Sequence, residues 1–314
     1  MINLSSPELT RAGFLRLMAA AGAAAVAGGA APARAAEQPV QTRPIPKTGE
    51  ALPVVGLGTW QTFDIGTGAD ERAPREEVLK LLFAGGGKVI DSSPMYGRAE
   101  AVTGDLLAKL GVQAKAFIAT KVWTNGREGG IRQMEESFRK LRVRHIDLMQ
   151  VHNLVDWRTH LQTLRAWKDQ GRVRYVGITH YTSSALDNLI AVIKAERVDF
   201  VQMAYSIAVR DAEKRLLPFA AESSVAVLVN RPFEGGDLFS KVRGKKLPPW
   251  AADIDCASWG QFFLKFILSH PAVTCVIPGT AKPQHMADNL AAGRGRLPDQ
   301  TTRKKMVAFL ESHL

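Results

Sequence analysis

Lys88-Val89-Ile90-Asp91-Ser92-Ser93-Pro94-Met95-Tyr96-Gly97 sets a short apolar run against a polar, turn-forming segment. The run reads as a buried strand, so Asp91 stands where strand gives way to loop and Tyr96 lies on that loop. Phe117 to Thr120 ends in the same way at Lys121, and Ile146 to Val151 ends at His152. Taken singly, each residue has an ordinary reading: a cap, a half-buried phenol, a solvated charge, a satisfied core histidine. Three successive strands delivering Asp, Tyr, Lys and His to one rim is a different matter. A free tyrosine titrates near ~10, and a lysine beside it stabilises the phenolate while an aspartate holds the lysine charged. Asp91, Tyr96, Lys121 and His152 are therefore the candidate catalytic residues. Tyr96 is expected to be a general acid with a lowered pKa, and His152 a hydrogen-bond donor to a substrate oxygen. The chemistry suits reduction of a carbonyl to an alcohol.

Working outward, strand-like runs recur at 54–58, 88–91, 117–121, 146–152, 173–179, 200–205, 225–230 and 274–278. Their starts are separated by 34, 29, 29, 27, 27, 25 and 49 residues. Helical patterns fill the gaps, for example 76–83, 131–141 and 185–193. Eight strand-and-helix units over about 250 residues predict an α/β fold, a (β/α)8 TIM barrel, whose sites form at the carboxyl ends of its strands. A doubly wound sheet would carry a third glycine in its first turn. Gly56-Leu57-Gly58-Thr59-Trp60 lacks it. Ahead of the barrel, Lys47-Thr48-Gly49-Glu50 has the chemistry of a hairpin turn. The 49-residue interval holds 234–255, rich in Gly, Pro and charge, which is expected to form a flap on the catalytic rim.

The chain has 314 residues, 46% of them hydrophobic, enough for one large core from residue 36 to 314. Its formal charge is +11; residues 1–35 hold three arginines against Glu8, so +9 remains on the rest. No dense basic stretch is interleaved with aromatics, which argues against a nucleic-acid partner. Cys256 and Cys275 lie too far apart for a metal site and read as free thiols or one disulfide. Residues 1–35 differ from the remainder. Arg11 and Arg16 precede an Ala- and Gly-rich apolar run, and Ala33-Arg34-Ala35 suits a signal peptidase. The segment reads as a cleaved export signal similar to a twin-arginine motif, with Ala12 in place of the second arginine. A periplasmic enzyme without stable membrane association is expected, with the cytoplasm as the alternative.

From about Val54 to Asn289 the sequence resembles the aldo/keto reductase family. The resemblance is carried by Gly56-Leu57-Gly58-Thr59-Trp60, Asp91 through Tyr96-Gly97, Thr120-Lys121-Val122-Trp123, Val151-His152, Gln202 with Tyr205, and Val276-Ile277-Pro278-Gly279-Thr280 continuing to Asn289. It implies that Asp91, Tyr96, Lys121 and His152 form the family's catalytic tetrad, acting on a small carbonyl substrate with a nicotinamide dinucleotide. It places Thr179, His180 and Gln202 at the carboxamide, and Tyr205 as the ring that stacks on the nicotinamide. It sends Gly58, Thr59, Trp60, Arg231, Pro232, Gly236, Leu238 and Pro278 to the cofactor as well. At the adenosine end it implies contacts from Gly279, Thr280, Lys282, His285, Asp288 and Asn289. His285 stands where relatives carry an arginine, so NADPH is expected to be favoured weakly and NADH to be usable. Trp60, Met95 and Trp123 are expected to wall the substrate pocket. Two other readings remain open: a nucleotide-binding subunit with little turnover, and a barrel hydrolase using Asp91 and His152.

Overall fold

The computed structural model describes residues 39–312, which belong to one compact unit. The export leader expected at residues 1–35 lies outside them.

The described residues open with a hairpin, β1 (Thr42–Pro44) against β2 (Ala51–Pro53), antiparallel with Arg43 opposite Leu52. Its turn places Gly49 at φ +73°, a left-handed conformation that glycine adopts without a Cβ penalty. Eight parallel strands follow: β3 (Leu57–Gly58), β4 (Val89–Asp91), β5 (Phe117–Val122), β6 (Ile146–His152), β7 (Val173–Thr179), β8 (Phe200–Ala204), β9 (Ala226–Asn230) and β10 (Cys275–Val276). They pair in sequence order. Bridges Val55 to Val276 and Gly58 to Gly279 join the last strand to the first and close the barrel. At that seam β3 and β10 are shorter than the sequence runs suggest. The two backbones cross so closely there that a Cβ on Gly58 would lie 2.8 Å from the Ile277 carbonyl oxygen.

Helices α1 (Ala69–Ala84), α2 (Ala99–Leu110), α3 (Arg127–Leu141), α4 (Trp157–Asp169), α5 (Leu186–Ala195) and α6 (Leu216–Glu222) follow the strands in turn. The long interval holds a short helix α7 (Asp237–Lys241), a single-turn segment at Pro249–Ile254 and α8 (Trp259–Leu268); α9 (Pro283–Ala292) and α10 (Gln300–Glu311) end the described chain. The 234–255 segment packs against aromatics that flank it. Phe239 packs on Phe233 with ring centres 4.8 Å apart and on Phe263 at 5.7 Å, and the Trp259 indole donates to the Lys245 carbonyl at 2.9 Å.

Strand alternation builds the barrel interior in layers. Phe117, Leu148, Tyr175 and Phe200 fill its amino end, capped by Ile45 and Leu52 of the hairpin. Two residues further along, Ala119, Gly177 and Leu228 keep the interior small or apolar, while Gln150 and Gln202 bring the first buried polar groups. The next inward positions on β5 and β6 are Lys121 and His152, with Asp91 beside them. An apolar floor thus supports a polar top layer.

Candidate active site

Asp91 ends β4 and Lys121 lies in β5, one strand over. Both side chains are almost fully buried, and the Lys121 ammonium donates to Asp91 Oδ2 at 2.6 Å and to the Ser92 carbonyl at 2.7 Å. An ammonium has three protons. The third faces Tyr96, over whose ring Nζ sits 5.0 Å from the centroid. Burial alone would lower the Lys121 pKa, but Asp91 and Tyr96 outweigh it and raise it, so the lysine stays charged. The phenol behaves differently from the sequence expectation. Burial raises the Tyr96 pKa and Asp91 adds to it, and together they exceed what Lys121 takes away. Tyr96 therefore keeps its proton at neutral pH, and the lysine stabilises the phenolate left after that proton is given up.

His152, at the end of β6, meets the Tyr96 ring edge-on with centroids 5.9 Å apart. Burial, followed by the charges of Lys121 and His180, lowers its pKa to about 3, so the ring is neutral. Its Nδ1 contacts Ser93 Oγ at 3.1 Å, and Ser93 Oγ accepts the Met95 N–H at 3.4 Å. The serine proton is then available to Nδ1, which assigns the imidazole proton to Nε2. Thr59 holds this loop from below: its N–H donates to the Asp91 carbonyl at 3.0 Å and its hydroxyl lies 2.9 Å from Ser92 Oγ.

A row of amides continues the layer. Gln150 and Gln202 both donate to Asp91 Oδ1, at 3.1 and 2.8 Å. Gln202 Oε1 accepts from Thr179 Oγ1 and from Asn230 Nδ2, each at 3.2 Å. Around the rim Trp60, Met95 and Trp123 are 44, 40 and 41% exposed, and the Trp123 ring lies 6.3 Å from that of His152. Of the three, Trp123 is thereby placed beside His152.

Several expected cofactor positions sit elsewhere. Tyr205 is wholly buried, packed 6.0 Å from Phe266 and 6.1 Å from His270; its hydroxyl receives Arg303 at 2.8 Å and donates to Glu213. It cannot stack on a nicotinamide. The reason is strand parity: Gln202 faces the barrel interior, and a residue three further on faces out. Leu238 is buried core, leaving only its backbone to a ligand. Asp288 gives both carboxylate oxygens to the start of α8, accepting from Ser258 Oγ at 2.6 Å and Gln261 Nε2 at 2.7 Å, so it ties two helices together. Thr179 and Gln202 do meet at the top layer. His180 follows them, its Nδ1 accepting the N–H groups of Tyr181 at 3.0 Å and Thr182 at 3.3 Å. Arg231, Gly235 and Gly236 all have positive φ in the loop after β9, where Pro232 is buried. Pro278 and Gly279 lie at the barrel seam. Thr280, Lys282 and His285 cluster at the amino end of α9, and Asn289 is buried one to two turns further on.

Residues 54–305 match the model of the aldo/keto reductase family. The chain belongs to the aldo/keto reductase family. An aldo-keto reductase of Bacillus subtilis, YhdN, is 24% identical over 282 residues, covering 76% of this chain and 84% of that one. The methylglyoxal reductase YeaE of Escherichia coli is 27% identical over 252 residues, covering 77% and 85%. The crystal structure of an aldo-keto reductase from Klebsiella pneumoniae in complex with NADPH superposes with TM-score 0.71 at 22% identity, over 83% of this chain and 92% of that one. As an aldo/keto reductase the chain is an oxidoreductase that reduces carbonyls.

The residues present fit a dinucleotide. Asn230 Oδ1 is buried at the rim with no hydrogen-bond partner, beside the amide of Gln202 and the hydroxyl of Thr179. That is a donor and acceptor row suited to a carboxamide. Arg231 and Lys282 enter no ion pair among the described residues, and the first turn of α9 carries no side-chain cap, which leaves cationic and N–H groups for phosphates. Three residues that contact this cluster escaped the sequence reading: Ser93, Gln150 and Asn230. Gln150 was accessible to it, since it precedes His152 by two and must share its inward face.

Proposed function

We propose that this aldo/keto reductase reduces apolar aldehydes and ketones, preferring NADPH and accepting NADH. The cofactor, when bound, supplies the hydride to the carbonyl carbon. The chain's own residues do the rest. His152 Nε2–H and the Tyr96 hydroxyl donate to the substrate oxygen as charge builds on it, and Tyr96 passes its proton to that oxygen. Lys121, fixed by Asp91 and the Ser92 carbonyl, stabilises the phenolate that remains. Trp60, Met95 and Trp123 bury the rest of the substrate. The carboxamide end would be held by Thr179, Gln202 and Asn230, and the phosphates by Arg231, Thr280, Lys282 and the start of α9. Lys282 favours a ribose phosphate. His285 lacks the forked cation that would make that preference strong.

The observation that carries this reading is the buried lysine whose only unassigned proton faces Tyr96. A hydrolase built on Asp91 and His152 would pair the two, yet the Asp91 carboxylate is taken by Lys121, Gln150 and Gln202. The test is oxidation of NADPH and NADH against aldehydes, ketones and quinones, with Tyr96→Phe as control. Turnover that falls about 100-fold or more in the variant, with nucleotide affinity unchanged, is expected for a positioned acid. Nucleotide binding without turnover in the parent protein would instead support the binding-subunit reading.

The leader supports a second element of the proposal, export to the periplasm. Cofactor is made in the cytosol, so an exported enzyme either retains its nucleotide and recycles it with a second substrate or acts before export. Cell fractionation that recovers only full-length cytosolic protein would remove this element and leave the catalytic one intact.

A further inference from the structure

Trp123 stands on the loop between β5 and α3, 41% exposed, with its ring 6.3 Å from that of His152. Its main chain is unusually well held for a rim loop. Gln133, two turns into α3, accepts the Trp123 N–H at Oε1, 2.5 Å away, and donates from Nε2 to the Trp123 carbonyl at 3.1 Å. A primary amide presents a donor and an acceptor in the same geometry as a peptide group, so one side chain reproduces the pairing of a strand partner. The following carbonyl, Thr124, lies 2.7 Å from His160 Nε2, and the Gly126 N–H donates to Asp156 Oδ2 at 2.8 Å. Residues 123–126 are thus pinned by side chains from α3, from α4 and from the residue before α4.

The base of the pin is rigid too. His160 is fully buried and accommodated by Gly130 of α3, where a Cβ would come within 2.5 Å of the imidazole. The two helices are therefore locked at the level from which Gln133 projects.

We infer that Gln133 is a positioning residue that sets substrate preference: it fixes Trp123 in advance as a rigid wall for carbonyl compounds bearing an apolar ring. The inference rests on the reading of Trp123 as pocket wall given above. A half-exposed indole on a free loop would lose backbone and rotamer freedom each time a substrate covered it. With its main chain held beforehand, it presents its face without the backbone part of that cost, and the gain goes to substrates large enough to reach it. Propanal, reacting at the tetrad, is too small to need the wall; benzaldehyde is not.

The test uses the full-length protein with NADPH and compares benzaldehyde with propanal. Gln133→Met keeps the length of the side chain and removes both hydrogen bonds. The expected result is a rise of about 10-fold in KM for benzaldehyde, with kcat and the KM for propanal within about twofold, and an unchanged Kd for NADPH by fluorescence titration. Gln133→Glu, which retains the acceptor and loses the donor, falls between. An equal loss on both aldehydes, or no loss on either, overturns the inference, because a merely structural brace does not discriminate by substrate size. Trp123→Ala separates the two levels. If it leaves the benzaldehyde to propanal ratio unchanged, the pocket reading fails. If it shifts the ratio while both Gln133 variants do not, the brace alone is wrong.

Discussion

At the carboxyl end of the barrel Lys121 meets Asp91 at 2.6 Å beside the Tyr96 ring; at the amino end Lys168 meets Asp199 at 2.5 Å beside the Tyr175 ring. The same three residue types recur, yet their surroundings differ. Lys121 is fully buried, whereas the Lys168 side chain is 40% exposed. Tyr175 donates its phenol proton to Glu50 at 2.7 Å and has Thr48 at 3.0 Å, and Arg174 reaches Glu50 and Asp147 at 2.6 Å each. The base is a closed network that seals the barrel under its hairpin. At the rim the phenol is committed to no carboxylate, and the lysine is dry. Reactivity follows from the hydrogen bond left unmade, since a proton already given to Glu50 is not available to a substrate.

The largest contrast is expected between the lysines. Lys121→Met leaves Asp91 buried without its cation, which costs about 3–5 kcal/mol of stability and abolishes measurable turnover. Lys168→Met leaves Asp199 with Lys47 at 3.4 Å and the Val176 N–H at 2.9 Å, so a loss below about 1 kcal/mol is expected, with turnover unchanged. Urea unfolding and NADPH oxidation on both variants check this. Equal destabilisation would mean that burial does not distinguish the two ends. The tyrosines follow. Tyr96→Phe lowers turnover by about 100-fold or more. Tyr175→Phe leaves it intact and costs about 1 kcal/mol of stability. Turnover lost equally in both would show that the hydroxyls matter through the fold and not through chemistry.

Much of this was legible in the sequence. The tetrad could be read because strand ends and loop starts are local patterns, and the closed barrel because its units repeat at near-constant spacing. What failed did so for identifiable reasons. Tyr205 was assigned to the cofactor by likeness, although its distance of three residues from Gln202 puts it on the opposite strand face. The direction of the Tyr96 pKa was missed because burial is a property of packing and is invisible in a loop sequence, whereas the neighbouring lysine was visible. Asp288 was assigned by position, and its partners Ser258 and Gln261 lie 30 and 27 residues away on another helix. Ser93 sits inside the opening stretch itself. Its importance lies in a contact with His152 two strands away, which no local pattern records.

Ser93→Ala therefore tests a residue the sequence hid. It removes the hydrogen bond that assigns the His152 proton to Nε2 while leaving Asp91, Lys121 and Tyr96 in place. A fall in kcat of about 10-fold is expected, with little change in nucleotide affinity, since the ring then samples both tautomers and orientations. Ser93→Thr, which retains the hydroxyl, is expected to recover most of the loss. Failure of that rescue would point to packing of the loop as the cause.

The smallest effect expected is a flat line. Because burial, Lys121 and His180 hold the folded-state pKa of His152 at about 3, below its ordinary 6.5, the ring stays neutral from pH 5 to 8 and kcat should change by less than about twofold across that range on its account. The sign for stability is fixed by the same shift. Below pH 6.5 the unfolded chain takes up a proton that the folded one refuses, so the contribution of His152 is complete above 6.5 and is lost as pH falls from 6.5 toward 3. Between pH 6.5 and 5 that loss is about 1.6 kcal/mol, and His152→Gln should lose correspondingly less than the parent protein when urea unfolding is compared at the two values. An acid limb in kcat near 6.5, with identical pH dependence of stability in the variant, would mean that His152 is solvated like an ordinary surface histidine. The rim would then differ from the base of the barrel in its free phenol alone, and not in being dry.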